Sequence, residues 1–191
     1  MIKQYFSQLL FAIRDIILYP DDTFEQIKKD NTDIVALLKA YALPIYLIPA
    51  LCAFIQHTVI GEFVPWKGSY QVPITSGMYQ FIFGIIWKFI TLFGLALGFA
   101  KFSTRFQIES DFFQTFKLVL YATTPYYISG IFVFIPLITF FTFVGGFIWS
   151  VYLLFIGLPK MLLCPSAKRK EVTGVLAGAW LGFLLLGYLF A

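Results

Sequence analysis

Lys88 is the residue whose type and position most directly suggest chemistry, because it is a charge deep within an apolar run, "GIIWKFITLFG". An ionisable side chain inside a membrane marks a functional site by default. At a similar depth on a later helix, Ser150 offers a hydroxyl and Trp149 a ring face for a cation–π contact. The carbonyl of Ile45, freed by Pro49, is another acceptor. One interpretation is therefore an intramembrane site for an anionic lipid headgroup or a partner; the other is that the lysine snorkels to the outer interface or is satisfied structurally.

Groups for catalysis are scarce in this sequence. No Asp or Glu lies inside any of the spans predicted below, and His57 is the single histidine. The two cysteines, Cys52 and Cys164, do not have the spacing of a metal site or a disulfide framework. We therefore expect no enzyme, metal site, cofactor or nucleic-acid partner. Proton-coupled transport also loses support, since it tends to use intramembrane carboxylates or histidines.

The composition places the chain among membrane proteins. Hydrophobic residues make up 60% of its 191 residues and charged residues 13%, whereas a soluble domain is about half apolar and a quarter charged. Spanning a bilayer takes ~20 apolar residues. We predict an all-α, polytopic integral membrane protein with a transmembrane domain over 34–191. Its five spans are 34–55, 78–102, 116–135, 137–159 and 172–191.

The charge-free stretch from Leu118 to Pro159 requires two of those spans. As a single helix it would be about twice as long as the hydrocarbon core is thick. The turn between the two is expected near "FIPLIT", with Pro136 in the first turn of the fourth helix.

Residues 1–33 form a separate N-terminal segment. Apolar residues recur there at intervals of three and four, which predicts an amphipathic helix lying in the membrane interface. The alternative is an ordinary helix packed on the spans. A second, short helix is expected after Pro20, with Asp22 as its N-cap and Glu25 as the reciprocal partner.

The basic residues predict the orientation. All of them except Lys67 and Lys88 fall in 3–39, in 101–117 and in 160–170, which five spans place on one side. The positive-inside rule then predicts a cytoplasmic N-terminus and an external C-terminus. The expected location is the bacterial inner membrane.

Prolines and glycines predict how the spans bend and pack. Kinks are expected at Pro44 and Pro49 and at the pair Thr124 and Pro125, where the threonine hydroxyl can bond the carbonyl of Tyr121. Two faces of small residues predict close helix packing within the chain or, alternatively, a homo-oligomer. They comprise Gly94 and Gly98 on the second span and Gly174, Gly178 and Gly182 on the fifth.

The cluster Lys168, Arg169 and Lys170 precedes the fifth span on the predicted cytoplasmic side. Such a cluster can bind anionic lipid. The alternative interpretation is that it only fixes the topology.

Three ordered stretches carry a family resemblance: "YPDDTFEQIKK", "KLVLYATTPYYISGIF" and "IWSVYLLFIGLPKMLLCPSAKRKEV". Together they resemble the prokaryotic branch of the Yip (Ypt-interacting protein) domain family. The resemblance implies a five-span membrane fold without an agreed biochemical activity. Eukaryotic relatives bind Rab GTPases and act in vesicle formation, but their Asp-Leu-x-Gly-Pro element is missing here, so Rab binding is not carried over.

These observations favour a non-enzymatic membrane protein that organises or scaffolds the membrane by binding lipids or partner proteins. The alternative is a small transporter, channel or lipid-moving protein that uses the proline-broken helices and Lys88.

Overall fold

The computed structural model describes residues 2–64, 68–106, 108 and 111–190, of which 2–6, 62–64, 69 and 137 are described by their backbone alone. Helices α1 and α2 lie before the long helices. The first long helix contains α3, a π-helical turn, α4 and a second π-helical turn; these elements are Ile2–Leu18 (α1), Pro20–Lys29 (α2), Ile34–Leu37 (α3), Leu38–Ala42 (π), Leu43–Ile55 (α4) and Gln56–Ile60 (π).

A two-stranded antiparallel hairpin and five further helices follow. The elements are Glu62–Val64 (β1), Gly68–Tyr70 (β2), Ile74–Phe102 (α5), Phe112–Ala122 (α6), Thr124–Ser129 (α7), Pro136–Leu162 (α8) and Arg169–Phe190 (α9). Short 3₁₀ segments, Ser103–Phe106 and Gly130–Phe134, extend α5 and α7. Apart from the hairpin, the regular structure is helical, as predicted.

In the described part of the chain, four helices are long and apolar enough to cross a membrane: Ile34–Ile60, Ile74–Phe106, Ile138–Leu162 and Arg169–Phe190. The predicted third span, 116–135, is helical but divided at Thr123 into α6 and α7. The break follows from Pro125, which has no N–H and cannot continue the hydrogen-bond ladder of α6.

α6 and α7 run antiparallel to α8 along its length. Leu118 meets α8 at Gly157, whereas Gly130, twelve residues further on, lies near Phe143. The segment therefore extends from the end of the bundle that contacts α2 to the end that carries the hairpin.

Several predicted span boundaries differ from the structure by three to five residues. The first long helix continues to Ile60, where Gly61 ends it with a φ of 83°, a conformation that glycine adopts without strain. The Gln56 amide donates to the Gly61 carbonyl over 3.0 Å. α5 begins at Ile74, four residues earlier than predicted, and α8 begins at Pro136, confirming the predicted turn.

The N-terminal helices pack on the bundle. Leu9 and Ile16 of α1 are buried, whereas Leu10 and Phe11 are exposed. This helix therefore has a packed side and an apolar exposed side, and its placement in a membrane interface stays a prediction.

The predicted N-cap of α2 is wrong. The helix starts at Pro20 after Tyr19, without a side-chain cap, so Asp22 lies inside its first turn. Proline is favoured at that first position because the missing N–H has no helical partner there. Glu25 instead reaches Lys160 on α8.

The core lies between α2, the first long helix, α5, α6, α8 and α9. Its largest fully buried side chains include Phe24, Tyr46, Phe116, Leu153 and Trp180. Large apolar side chains such as Phe140, Phe141, Ile148 and Leu185 are exposed on the long helices. An apolar outer surface of this kind suits lipid contact, since soluble monomers rarely expose large apolar patches.

Candidate intramembrane site

The helix break at Pro125 is tied to the first long helix by hydroxyl groups. The Thr124 hydroxyl donates to the carbonyl of Leu120 over 3.1 Å. The predicted acceptor, Tyr121, is therefore wrong, because the threonine hydroxyl bonds one full helical turn back instead of three residues back. The hydroxyl of Tyr41 lies 3.0 Å from that of Thr124, and the Tyr41 and Tyr121 rings are 4.3 Å apart.

α8 also contacts the helix break at Pro125. Ser150 is fully buried, and its hydroxyl accepts the backbone N–H of Tyr126 over 3.2 Å. One turn earlier, a Cβ on Gly146 would lie 2.9 Å from the carbonyl oxygen of Pro125. The two backbones therefore meet closely at this point.

The predicted grouping of Lys88, Ser150 and Trp149 is not formed. The Ser150 hydroxyl accepts the N–H of Tyr126, beside the helix break at Pro125, and does not contact Lys88. Trp149, its neighbour on α8, points to another face, is 41% exposed and packs against Tyr152. Successive residues on a helix are about 100° apart, so Trp149 and Ser150 face different sides of α8.

Lys88 instead faces the first long helix and α7. Its ammonium donates to the carbonyl of Tyr46 over 3.3 Å and lies 5.9 Å from the centre of the Tyr127 ring. The acceptor is thus Tyr46, not the predicted Ile45. Within the described ranges, no carboxylate forms a salt bridge with Lys88.

Pro44 and Pro49 both lie in the first long helix. Pro44 is in the first turn of α4, directly after the π-helical turn Leu38–Ala42, and Pro49 is inside α4. A π-helical turn beside a proline accommodates the broken hydrogen-bond pattern.

Two cavities meet at Lys88. The tyrosine cavity has a volume of about 310 Å³ and lies between α4, α5, α7 and α9. The hairpin cavity, about 360 Å³, extends from Lys88 toward the hairpin end of α5. Both are lined by Ala50, Ala53, Gly84 and Lys88.

The walls of the two cavities differ in polarity. The tyrosine cavity is mostly apolar, and its polar groups include Lys88, Thr91 and three tyrosines, Tyr126, Tyr127 and Tyr188. The hairpin cavity adds His57 and Gln80. A mostly apolar space with a few placed polar groups is typical of a small-molecule site.

A groove on the side of the bundle continues from the tyrosine cavity. This lateral groove, about 570 Å³, lies between α8 and α9. It shares Tyr126, Phe143 and Leu184 with the tyrosine cavity. The tyrosine cavity and the lateral groove are thus adjacent, and together they lie between Lys88 and the outer surface of the helices.

Metal ligands and cysteine thiols are two kinds of group that could carry out bond making. Among the described residues, no group of three or more histidine, cysteine or acidic side chains could hold a metal ion. Cys164 lies outside the long helices, and burial raises the pKa of its thiol, which disfavours the reactive thiolate.

Only one glycine of the predicted small-residue faces makes a close contact with another helix. Gly94 lies against the ring of Phe183 on α9, where an added Cβ would come within 2.6 Å of the ring. The others, Gly98, Gly174, Gly178 and Gly182, have open space where a Cβ would be. A second contact between α5 and α9, missed from the sequence, is made by Trp87, which lies over Gly187 and donates its indole N–H to the Phe183 carbonyl over 2.9 Å. The small-residue spacing identifies a face but does not say which helix covers it.

Lys117 is the main residue that sequence reasoning missed. Its side chain is 1% exposed, and its ammonium caps the end of α2 by donating to the carbonyls of Ile27, over 3.0 Å, and Asp30. The ammonium also lies 4.2 Å from the centre of the Phe113 ring. Cations at a helix C-terminus stabilise its unpaired carbonyls. The signal in the sequence was the four-residue spacing of Phe113 and Lys117, which places both on one helix face.

A second contact fixes α2 to α8. Lys160 lies 2.5 Å from Glu25 and 3.8 Å from Asp21, while Lys28 donates to the Lys160 carbonyl over 3.0 Å. The hydrogen bond and charge of Lys160 hold the pKa of the Glu25 carboxyl below its ordinary value. Beside them, Phe24 is fully buried and lies close to Gly157.

The basic cluster before α9 is partly used within the protein. Pro159 cannot donate to the Phe155 carbonyl, and the Arg169 guanidinium donates to that carbonyl over 2.5 Å while lying 3.6 Å from the Phe155 ring centre. Lys168 donates to the Phe106 carbonyl over 3.0 Å. Lys170 is exposed. The predicted contact of this cluster with lipid stays a prediction.

Comparison with known proteins gives one match. The family model of the Yip1 domain matches residues 14–190, which is most of the chain. No curated protein and no solved structure matches the chain.

Proposed function

The chain belongs to the Yip1 domain family, and from this premise we propose that it is a non-enzymatic integral membrane protein that organises its bilayer by binding lipid around Lys88. Membrane-protein partners or a second copy of the chain are further candidates for the faces that its own helices leave uncovered. Binding of a Rab GTPase is not part of the proposal.

The observation that carries the proposal is the position of Lys88. It is the middle residue of α5, where two cavities meet. A lysine at the centre of a membrane helix costs about 3 kcal/mol on insertion scales. The carbonyl contact of 3.3 Å and the Tyr127 ring at 5.9 Å offset only part of that cost. A lipid bound in the cavities would bring complementary groups to the ammonium.

We propose that the chain crosses the membrane five times. Support comes from the divided segment α6–α7, which extends along α8 from the α2 end of the bundle to the hairpin end. The four long helices and this segment together alternate in direction, so that the basic residues of 101–117 and 160–170 share one end with α2. That end is proposed to face the cytoplasm of a bacterial cell, with the C-terminus outside; α1 would lie at the same interface.

A reporter test addresses this topology. A reporter that is active only outside the cytoplasm should be active after residue 191 and silent when placed before residue 2. Activity at both ends, or silence at the C-terminal fusion of a stably expressed protein, would contradict five crossings.

A lipid-moving protein is the second candidate. The observation in its favour is that the hairpin cavity, the tyrosine cavity and the lateral groove are adjacent. A headgroup could pass Lys88 while its chains remained in the groove. A channel or transporter for small solutes has less support, because the tyrosine cavity has mostly apolar walls.

Reconstituted vesicles distinguish the two candidates. Lipid scrambling, ion or solute flux and vesicle shape are measured for the wild-type protein and for Lys88→Ala. Lipid binding and vesicle remodelling without scrambling or flux would support the organising role. Scrambling or flux that Lys88→Ala abolishes would support the second candidate instead, and a protein that neither binds lipid nor alters the vesicles would contradict both.

A further inference from the structure

We infer that the site at Lys88 selects a phospholipid with a net negative headgroup, whose phosphate lies on the Lys88 ammonium and whose acyl chain follows the tyrosine cavity into the lateral groove. This inference rests on the proposed lipid binding and adds the charge of the headgroup and the path of the chain.

The charge requirement follows from the surroundings of the ammonium. Its two contacts are a neutral carbonyl of Tyr46 and the face of Tyr127. Neither of these contacts carries a negative charge, and no acidic residue lines either cavity in the described part of the chain. A zwitterionic headgroup would bring a second positive charge next to Lys88, whereas a net anion would neutralise it.

The path of the lipid's acyl chain is inferred from the apolar residues that the tyrosine cavity and the lateral groove share. From Lys88 the tyrosine cavity passes Tyr126, Phe143 and Leu184, and these three residues also line the lateral groove. The groove opens between α8 and α9, where exposed apolar side chains such as Phe140 and Leu181 adjoin the surrounding lipid. An acyl chain that takes this route would therefore meet mostly apolar side chains.

The headgroup has space on the opposite side. The hairpin cavity begins at the shared residues around Lys88 and presents His57 and Gln80. The polar part of a lipid would lie there while its phosphate contacts the ammonium. The direction of the two spaces therefore orients the lipid, with its polar end toward the hairpin.

Two glycines of the protein allow a matched test of whether a lipid occupies the space where the two cavities meet. Gly84 lines both cavities, and a Cβ there meets no atom within 4 Å. Gly145 on α8 is exposed and equally open, and it does not line the described cavities. Gly84→Leu should fill the junction without strain, and Gly145→Leu is the control that adds the same side chain elsewhere.

The experiment is native mass spectrometry of the full chain in detergent, titrated with phosphatidylglycerol or phosphatidylcholine of identical chains. We expect phosphatidylglycerol to bind about tenfold more tightly, equivalent to ~1.4 kcal/mol. Lys88→Gln should abolish that preference and Lys88→Arg should retain it. Gly84→Leu should lower the affinity for both lipids, and Gly145→Leu should bind them as the wild type does. Circular dichroism melts verify that each variant folds.

The outcomes separate this inference from the proposed function. Equal binding of the two lipids, lost in Gly84→Leu, would overturn the headgroup selection and leave lipid binding intact. A preference for phosphatidylglycerol that persists in Lys88→Gln would place the anion elsewhere, for example at Lys170, and would also overturn the inference. If no lipid binds to the folded wild-type protein, the proposed function fails as well.

Discussion

Replacing Lys117 by methionine tests how α2 is held on the membrane bundle. The ammonium bonds the carbonyls of Ile27 and Asp30 and lies over the Phe113 ring. Methionine has a similar length and fills the same space, but it cannot donate a hydrogen bond. The substitution therefore removes the cap of α2 with little change in packing.

The expected magnitude follows from these contacts. Each hydrogen bond from a charged group contributes ~1.5–3 kcal/mol, and the cation–π contact about 1 kcal/mol more. Removing the buried charge returns part of this, because burial of Lys117, a residue that is 1% exposed, costs hydration of its charge. We expect a net loss of about 2–3 kcal/mol in the free energy that holds α2 in place.

Hydrogen–deuterium exchange in detergent or nanodiscs measures this loss. At ~1.4 kcal/mol per factor of ten, the amides of Pro20–Lys29 should exchange about 30–100 times faster in Lys117→Met. Lys101→Met, at an exposed lysine at the same end of the bundle, is the control and should leave α2 unchanged. Unchanged exchange in Lys117→Met would refute the capping role, and an equal increase in all helices would show that Lys117 supports the whole bundle instead.

Two further predictions concern α8 and its contact with α2. Gly146→Ala should lower the unfolding temperature, because the new Cβ would lie 2.9 Å from the Pro125 carbonyl oxygen, and overpacking of this kind costs ~1–3 kcal/mol. Gly145→Ala, whose Cβ would lie in open space, is the control and should leave the unfolding temperature unchanged or raise it. Equal effects of the two substitutions would contradict the close contact at Gly146. The pKa of Glu25 is lowered by Lys160, so this ion pair stabilises α2 at neutral pH and is lost as the pH falls through that lowered pKa. Exchange of α2, corrected for the intrinsic rate, should therefore rise in acid in the wild type and much less in Glu25→Gln; the same rise in both would contradict the assignment.

The long helices were predictable because each contains an apolar run of membrane-spanning length. Their ends were less predictable: the first long helix continues to Ile60 because Gly61 supplies the terminating conformation. The third predicted span was located correctly as a helical segment, but its division at Thr123 depends on a partner helix. The Ser150 hydroxyl that accepts the Tyr126 N–H comes from α8, and only the antiparallel register of the two helices brings it there.

The candidate site shows the same limit. Lys88 could be identified from the sequence because a charge inside an apolar run is unusual. Its neighbours could not, since Tyr46 and Tyr127 come from different helices whose facing sides are set by packing. Lys117 was counted only as a basic residue of a loop, although the structure buries it under α2.

Polar groups lie beside the prolines at residues 49, 125 and 159, and a comparison of these groups sets Lys88 apart. At Pro125, the neutral hydroxyl of Ser150 accepts the N–H of the next residue. At Pro159, Arg169 bonds the freed carbonyl from the polar end of the bundle, where its charge is inexpensive.

Near Pro49, Lys88 bonds the Tyr46 carbonyl from the middle of α5. A serine or threonine could donate to a carbonyl without placing a charge at that depth, as the Thr124 hydroxyl does to the Leu120 carbonyl beside Pro125. The structural task thus accounts for a donor at position 88 but not for its charge. Because the same ammonium lies where two cavities meet, the charge is better explained by an anion that enters them.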